Sequence, residues 1–271
     1  MNTAASDRFA IETSELTRQF GHLTAVDHIE ICVPYREIFG LLGANGAGKS
    51  TVIKMLTTLL APTSGSATVG GFDIIKSPGD VRRRIGYVSQ LLSADGALTG
   101  DENLRLSAKL YGLPKTESSE RIADALNFMG LTDSARKLVK TYSGGMIRRL
   151  ELAQAMLHRP AILFLDEPTI GLDPVARHMV WDRLLDLRRD YGMTVLITTH
   201  DMEEAETLCD KLAILHMGRV SVVGKPAELR MQLGASATMD DVFVHYAGGL
   251  IHEGGTFREV AQTRRTAHRL G

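Results

Sequence analysis

A glycine-rich segment at residues 43–50 constrains the fold of this chain more than any other feature. It reads GANGAGKS, so two glycines enclose four residues and are followed by Lys49 and Ser50. An apolar run, EIFGLLG, precedes the segment, and a helix-forming run, TVIKMLTTLL, follows it. Glycines at this spacing let backbone N–H groups point at phosphate oxygens, and the following helix adds roughly half a positive charge at its N-terminus. The segment therefore predicts a strand–loop–helix unit that binds phosphate.

Two side chains of this loop have predicted roles of their own. Lys49 is expected to bind the β- and γ-phosphates of a nucleotide and to assist catalysis, while the Ser50 hydroxyl ligates Mg²⁺. The predicted nucleotide-contacting set runs through the loop and into the helix: Gly43, Ala44, Asn45, Gly46, Ala47, Gly48, Lys49, Ser50 and Thr51.

Several short apolar runs indicate a mostly parallel sheet that is buried on both faces. They read IGYVSQ at 85–90, AILFLD at 161–166 and TVLITTH at 194–200. HIEICV at 28–33 alternates and predicts one half-exposed strand, and 211–224 reads as a hairpin that turns near Met217–Gly218. Helical patterns fill the interval between the runs at 85–90 and 161–166. The chain is therefore expected to form an α/β sheet with a helical insertion.

Polar side chains at the ends of these runs predict the catalytic groups. Asp166 and Glu167 end one buried strand and His200 ends the next, so all three are expected at the carboxyl edge of the sheet, where α/β ligands bind. Asp166 is expected to hold Mg²⁺, Glu167 to polarise the attacking water, and His200 to contact the γ-phosphate. Gln90 ends a third strand, and its amide is expected to sense Mg²⁺ or water.

The segment YSGGMIRR at 142–149 places two glycines directly before a predicted helix. Glycines leave the backbone N–H groups of a helix start unshielded, and Ser143 adds a hydroxyl near the N-cap. We interpret Ser143, Gly144 and Gly145 as a second anion site that works by the same physics as the first.

Taken together, these motifs resemble the ATP-binding cassette (ABC) family, specifically the nucleotide-binding subunit of a transporter, from about residue 11 to 224. YSGGM resembles the ABC signature, GLDP with Asp173 the D-loop, and His200 the switch histidine. Phe20 in LTRQFG matches the aromatic residue that stacks on adenine. The resemblance implies a P-loop NTPase (RecA-like) α/β core with a mostly parallel sheet, an N-terminal antiparallel β sub-domain and a helical sub-domain insertion.

The resemblance also implies a division of the chain. The ABC ATPase domain is expected at 8–224, with the helical sub-domain at about 91–160. Residues 225–271 are expected to form a C-terminal extension, with one short helix at 239–248 and a basic tail. The phrases LTGDENL, TYSGGMIRRLELA and DDVFVHYAG are similar to those of daunorubicin-type drug-resistance exporter ATPases. This similarity implies export of a drug-like or other amphipathic substrate through a separate membrane permease.

The cofactors and partners follow from the same resemblance. ATP and Mg²⁺ are implied, with two cassettes paired head to tail so that Ser143, Gly144 and Gly145 of one face the ATP of the other. Homodimer and heterodimer both remain open. The sequence shows no signal peptide and no apolar run near the ~18 residues that span a bilayer. The expected location is therefore the cytoplasmic face of the membrane, peripheral through the permease.

Composition bears on the alternatives. The net charge of −1 gives no general attraction to nucleic acid, so no nucleic-acid partner is expected. A soluble ABC ATPase that acts on ribosomes or DNA remains the alternative, but it would usually carry two cassettes or a long coiled coil. A kinase would need an acceptor site, and a GTPase an Asn-Lys-x-Asp motif, and we find neither. The isolated Cys32 and Cys209 are expected to be buried, reduced thiols.

Four positions depart from the usual family pattern. Ala44 stands where proline is common, and Arg36 replaces a common turn glycine. Tyr142 and Met146 replace the commoner leucine and glutamine of the signature. No essential group is missing, so the sequence predicts an active ATPase.

Overall fold

The structure is a computed structural model that describes residues 9–248. Residues 1–8 and 249–271 lie outside this range, and with them the predicted basic tail and its Arg258, Arg264, Arg265 and Arg269. Within the range the chain forms two β-sheets and nine α-helices. No helix among these residues is long and apolar enough to span a membrane.

An antiparallel sheet of five strands occupies the N-terminal part, as the sequence predicted. Its strands run in the order β2-β1-β5-β6, with β3 also paired to β1. Their bounds are β1 Phe9–Phe20, β2 Leu23–Ile29, β3 Cys32–Pro34, β5 Ser64–Val69 and β6 Phe72–Asp73.

The expectation of one continuous strand at 28–33 is wrong, because β2 ends at Ile29 and β3 begins at Cys32. The buried Thr13 hydroxyl fills the break by donating a hydrogen bond to Ile29 O (2.9 Å) and accepting one from Ile31 N (2.9 Å). Buried and exposed residues nevertheless alternate without interruption across the break, with Ile29, Ile31 and Val33 buried and Cys32 exposed. The expectation that the Cys32 thiol is buried is therefore wrong, whereas Cys209 is buried.

The second sheet forms the centre of the molecule and has six strands in the order β11-β10-β4-β9-β8-β7. All neighbours pair in parallel except β10 and β11, which form the predicted hairpin across Met217 and Gly218. The strands are β4 Ile38–Leu42, β7 Ile85–Val88, β8 Ile162–Asp166, β9 Thr194–Thr199, β10 Lys211–His216 and β11 Arg219–Gly224. Every residue of β4, β8 and β9 is buried, which explains their uninterrupted apolar pattern.

Nine helices cover this framework: α1 Lys49–Leu56, α2 Pro78–Arg84, α3 Gly100–Leu110, α4 Lys115–Phe128, α5 Gly144–Met156, α6 Pro174–Tyr191, α7 Met202–Leu208, α8 Pro226–Leu233 and α9 Met239–Gly248. The helices α3, α4 and α5 lie between β7 and β8, which confirms the predicted helical insertion. The central sheet separates two cores, one against α1 and the antiparallel sheet and one against α5 and α6.

The C-terminal part packs more closely than its sequence pattern suggested. The predicted helix at 239–248 is confirmed as α9, but α8 had not been expected. Leu229 of α8, together with Met239 and Val242 of α9, is buried in the same core as α5 and α6. These residues therefore extend the core of the central sheet.

Candidate functional site

The predicted catalytic residues meet at the carboxyl ends of three neighbouring parallel strands. Leu42 of β4 pairs with Thr199 of β9, and Asp166 of β8 pairs with Thr198 of β9. Gly43 N continues the ladder by donating a hydrogen bond to Thr199 O at 3.3 Å. The expectation that these residues share one edge of the sheet is therefore confirmed, and their chemical roles remain predictions.

Backbone geometry shapes the phosphate-binding loop at its two ends. Gly48, directly before α1, has a φ of 105°, and a Cβ there would lie 2.5 Å from Ala25 O. A Cβ on Gly43 would lie 2.7 Å from Leu215 O. Both positions therefore require glycine, because the loop is packed against β2 and β10 without room for a side chain.

Lys49 projects back across this loop and is nearly fully buried. Its Nζ donates hydrogen bonds to Gly43 O at 2.7 Å and to Ala44 O at 3.2 Å, and it lies 3.2 Å from Glu167 Oε1. The contact at position 44 uses only the backbone carbonyl, which explains why alanine serves in place of proline. The ammonium therefore lies between the loop and the predicted general base.

Asp166 accepts hydrogen bonds from two hydroxyls on the same oxygen. Ser50 Oγ donates to Asp166 Oδ1 at 3.0 Å, and Thr198 Oγ1 donates to it at 2.7 Å. Mg²⁺ in phosphate-binding sites takes one or two protein oxygens and completes its shell with phosphate and water. Ser50 and Asp166 fit that requirement, even though no cluster of three ligating side chains exists among residues 9–248. Thr198 was not predicted, although it lies two residues before His200 and so shares its side of the strand.

Glu167 is held in a strained and buried position. Its φ of 47° is left-handed, and its backbone N donates to Thr198 Oγ1 at 3.0 Å. Such backbone strain is common at functional sites, where the surroundings fix the conformation. Glu167 Oε2 lies 3.3 Å from His200 Nδ1, yet it accepts no hydrogen bond from any described group. This buried oxygen is therefore positioned to accept a hydrogen bond from a water molecule.

Three predicted nucleotide-contacting residues lie away from this group. The Phe20 ring is 45 % exposed at the end of β1, with the Arg18 guanidinium 4.6 Å from its centroid. Asp173 caps α6 by accepting a hydrogen bond from Ala176 N at 2.9 Å. Gln90 is exposed two residues beyond β7. No hydrogen bond or ion pair in residues 9–248 joins these three side chains to the phosphate-binding loop.

The signature segment forms a second helix start, as predicted. Ser143 caps α5 by accepting a hydrogen bond from Met146 N at 3.3 Å. A Cβ on Gly145 would lie 2.7 Å from Ala176 Cβ, so the first turns of α5 and α6 pack tightly together. Tyr142, in place of leucine, is buried and donates a hydrogen bond to Ser134 O at 2.6 Å. Among residues 9–248, no hydrogen bond joins Ser143, Gly144 or Gly145 to the phosphate-binding loop.

A buried ion pair on α5 ties this helix to the segment that follows β7, and sequence reasoning missed it. The Arg148 guanidinium donates to Ser89 O at 2.7 Å and to Gln90 O at 3.0 Å, and its Nη1 lies 2.9 Å from Glu151 Oε2. Glu151 Oε1 accepts hydrogen bonds from the backbone N and the hydroxyl of Ser93. Both charged side chains are 2 % exposed. The spacing of three residues on one helix was the available signal.

A buried carboxyl group behind His200 was also missed. Glu204 accepts hydrogen bonds from Thr169 Oγ1 at 2.6 Å and from Trp181 Nε1 at 2.9 Å. Burial raises the pKa of Glu204 above its ordinary value of 4.5, although its hydrogen bonds oppose the shift. This carboxyl group therefore joins the segment after Glu167 to the helix after His200.

Comparisons with known proteins agree with this geometry. Residues 26–170 match the family described as ABC transporter. The chain is 46 % identical over 227 residues to the daunorubicin/doxorubicin resistance ATP-binding protein DrrA of Streptomyces peucetius, covering 84 % of this chain and 68 % of that protein. It is 41 % identical over 247 residues to the probable multidrug ABC transporter ATP-binding protein YbhF of Escherichia coli, covering 90 % of this chain but 42 % of that protein. Among solved structures, the ATP-binding subunit of an ABC transporter superposes with a TM-score of 0.77 at 31 % identity, covering 88 % of this chain and 99 % of that one.

Proposed function

The chain belongs to the ABC transporter family as an ATPase, and from this premise we propose that it powers the export of a drug-like or other amphipathic substrate through a separate membrane permease. The similarity to DrrA, a daunorubicin/doxorubicin resistance ATP-binding protein, supports the export direction and the substrate class. No observation favours the alternative, a soluble ABC ATPase that acts on ribosomes or DNA.

The observation that carries the proposal is the convergence of Lys49, Glu167 and His200 beside the phosphate-binding loop. In the proposed reaction the loop N–H groups and Lys49 hold the ATP phosphates. Glu167 polarises the attacking water through its buried Oε2, and His200 orients that water from the adjacent strand end. Mg²⁺ bound to Ser50 and Asp166 would supply charge neutralisation on the phosphates.

The signature segment is proposed to act on a second cassette. Ser143, Gly144 and Gly145 form an anion-binding helix start, and their separation from their own phosphate-binding loop supports a role toward a partner's ATP. Asp173 begins the adjacent helix and is proposed to face the same interface. Homodimeric and heterodimeric pairing both fit this arrangement.

The remaining predicted contacts complete the proposal. Phe20 would stack on adenine through the ring face opposite Arg18, since the guanidinium covers one face only. Gln90, whose carbonyl is held by Arg148, would sense Mg²⁺ or the attacking water. The proposed ATPase domain is 8–224, with the helical sub-domain at about 91–160 and the C-terminal extension at 225–271. The proposed location is the cytoplasmic face of the membrane, peripheral through the permease.

Replacement of the proposed general base tests the reaction. Glu167→Gln should lower the phosphate-release rate by about 100-fold or more and should trap an ATP-bound dimer that light scattering detects. Glu203→Gln, an exposed change on α7, is the matched control and should hydrolyse ATP normally. Normal hydrolysis by Glu167→Gln, or a monomer at saturating ATP, would contradict the proposed mechanism. The transport role is tested separately by co-purification with a membrane permease and by substrate-stimulated ATPase activity.

A further inference from the structure

The edge of the central sheet opposite the nucleotide site carries an arginine-rich groove. It lies where the chain enters four neighbouring parallel strands, β4, β9, β8 and β7. The groove has a volume of about 620 Å³, and its charged and aromatic lining consists of Tyr35, Arg36, Arg83, Arg84, Arg159 and Tyr191. We call these residues the amino-edge groove. All six side chains are exposed to solvent, so a ligand could reach them directly.

The positive charge in this groove is largely uncompensated. The side chains of Arg36 and Arg159 form no ion pair or hydrogen bond with any residue in 9–248, and Arg84 lies over the Phe72 ring at 5.5 Å. Arg83 has one partner, the partly exposed Asp80, at 2.5 Å. Within the described part of the chain no carboxylate lines the groove. The four guanidinium groups therefore create a local excess of positive charge in a protein whose net charge is −1.

Two of these arginines occupy backbone positions that favour glycine. Arg36 has a φ of 65° and Arg159 a φ of 56°, both in the left-handed region. A long side chain at such a position is disfavoured by local sterics, and neither guanidinium offsets this through a hydrogen bond or an ion pair within residues 9–248. Placement of charge in the groove is therefore the property that both residues share.

We propose that the amino-edge groove binds an anion that carries two or more linked phosphate groups. Each guanidinium presents a planar fork of N–H donors that matches two phosphate oxygens in a bidentate manner. A single carboxylate could fill only one such fork, whereas linked phosphate groups could fill several. Neighbouring strands lie about 4.8 Å apart, so the four strand ends span roughly 14 Å. This length accommodates a linear polyphosphate chain, and Tyr35 and Tyr191 also line the groove. The same phosphate chemistry could come from a soluble polyphosphate or from a polyphosphorylated lipid headgroup.

Inorganic tripolyphosphate is the probe for a direct test by isothermal titration calorimetry. The full chain is first saturated with ADP, so that its phosphate-binding loop is filled. The groove variant is Arg36→Gly combined with Arg159→Gly, which removes two charges and also relieves both left-handed positions. The control is Arg82→Ala combined with Arg136→Ala, which removes two exposed charges outside the groove. Thermal unfolding and ADP affinity are measured for each protein to show that fold and nucleotide site are intact.

The expected result is tripolyphosphate binding by the ADP-saturated wild type that weakens about tenfold or more in the groove variant and less than about twofold in the control. Vesicles of phosphatidylcholine with or without phosphatidylinositol bisphosphate then identify the source. Groove-dependent co-sedimentation with the phosphorylated vesicles would assign the lipid headgroup, and its absence alongside tripolyphosphate binding would assign a soluble anion. No binding by the wild type in either assay, or equal weakening in groove variant and control, would overturn the proposal.

Discussion

Removal of the Glu151 carboxylate should destabilise the protein strongly, because the Arg148 charge would stay buried without its partner. Both side chains are 2 % exposed, and the gap between Arg148 Nη1 and Glu151 Oε2 is 2.9 Å. Breaking a buried pair by removing one member costs about 3–5 kcal/mol. Arg148 would keep its two carbonyl acceptors, whereas Ser93 N would lose its acceptor. We therefore expect Glu151→Ala to lower the free energy of unfolding by about 4 kcal/mol, a large part of the ~5–15 kcal/mol typical of proteins.

Urea denaturation followed by the fluorescence of Trp181, the single tryptophan, measures this change. The control is Glu120→Ala, which removes an exposed carboxylate from α4 and should change the free energy of unfolding by less than about 0.5 kcal/mol. The double variant Arg148→Met with Glu151→Leu removes both charges and should recover most of the loss. A cost below about 1 kcal/mol for Glu151→Ala, or a double variant as unstable as the summed single variants, would refute the reasoning.

The same variant has a consequence for turnover. Glu151 accepts hydrogen bonds from the backbone N and the hydroxyl of Ser93, so its removal loosens the segment that presents the Gln90 amide. At a temperature where Glu151→Ala is folded, kcat should therefore fall while the KM for ATP stays near the wild-type value. An unchanged kcat would show that the ion pair only stabilises the fold.

Two further predictions concern the signature segment and the buried carboxyl group. Gly144→Asp should retain ATP binding and abolish hydrolysis, measured by nucleotide titration and by phosphate release. The control Gly144→Ala, whose Cβ would lie 3.3 Å from Leu172 Cδ2, should have only a mild effect on both. Normal turnover by Gly144→Asp would show that the segment is only a helix cap. The raised pKa of Glu204 means that the folded state holds a proton more tightly than the unfolded state. The stability from neutral Glu204 is therefore fully present below about pH 4.5 and is lost as pH rises through the folded pKa. Glu204→Gln should flatten the decline in unfolding free energy above pH 4.5, and parallel pH profiles for wild type and variant would contradict this.

The placement of the site was predictable because it depends on local pattern. A buried parallel strand has a continuous apolar run and ends where polar residues begin, so Asp166 and His200 could be assigned to one sheet edge from the sequence. The loop around Gly48 has a spacing that only a phosphate cradle commonly uses. Each of these features can be recognised from a few consecutive residues, and the structure places the strand ends and the loop where the sequence pattern indicated.

Features that depend on distant contacts could not be predicted in this way. The break between β2 and β3 follows from the Thr13 hydroxyl, which lies more than fifteen positions away in sequence. The burial of Arg148 and Glu151 depends on the segment after β7, more than fifty positions earlier. Helix α8 has a weak apolar pattern, and its only buried residues are Pro226, at its start, and Leu229. Charged or weakly patterned residues reveal such roles only when the packing around them is known.

The close packing of the first turns of α5 and α6 also has an electrostatic consequence. Gly145 and Ala176 bring two helix starts together, and each start carries roughly half a positive charge from its aligned peptide dipoles. Because this charge belongs to the backbone, it has no pKa and survives every side-chain substitution that leaves both helices intact. The backbone contribution to the attraction of an anion should therefore be constant across pH, in contrast to attraction by histidine, and should weaken only as added salt screens it.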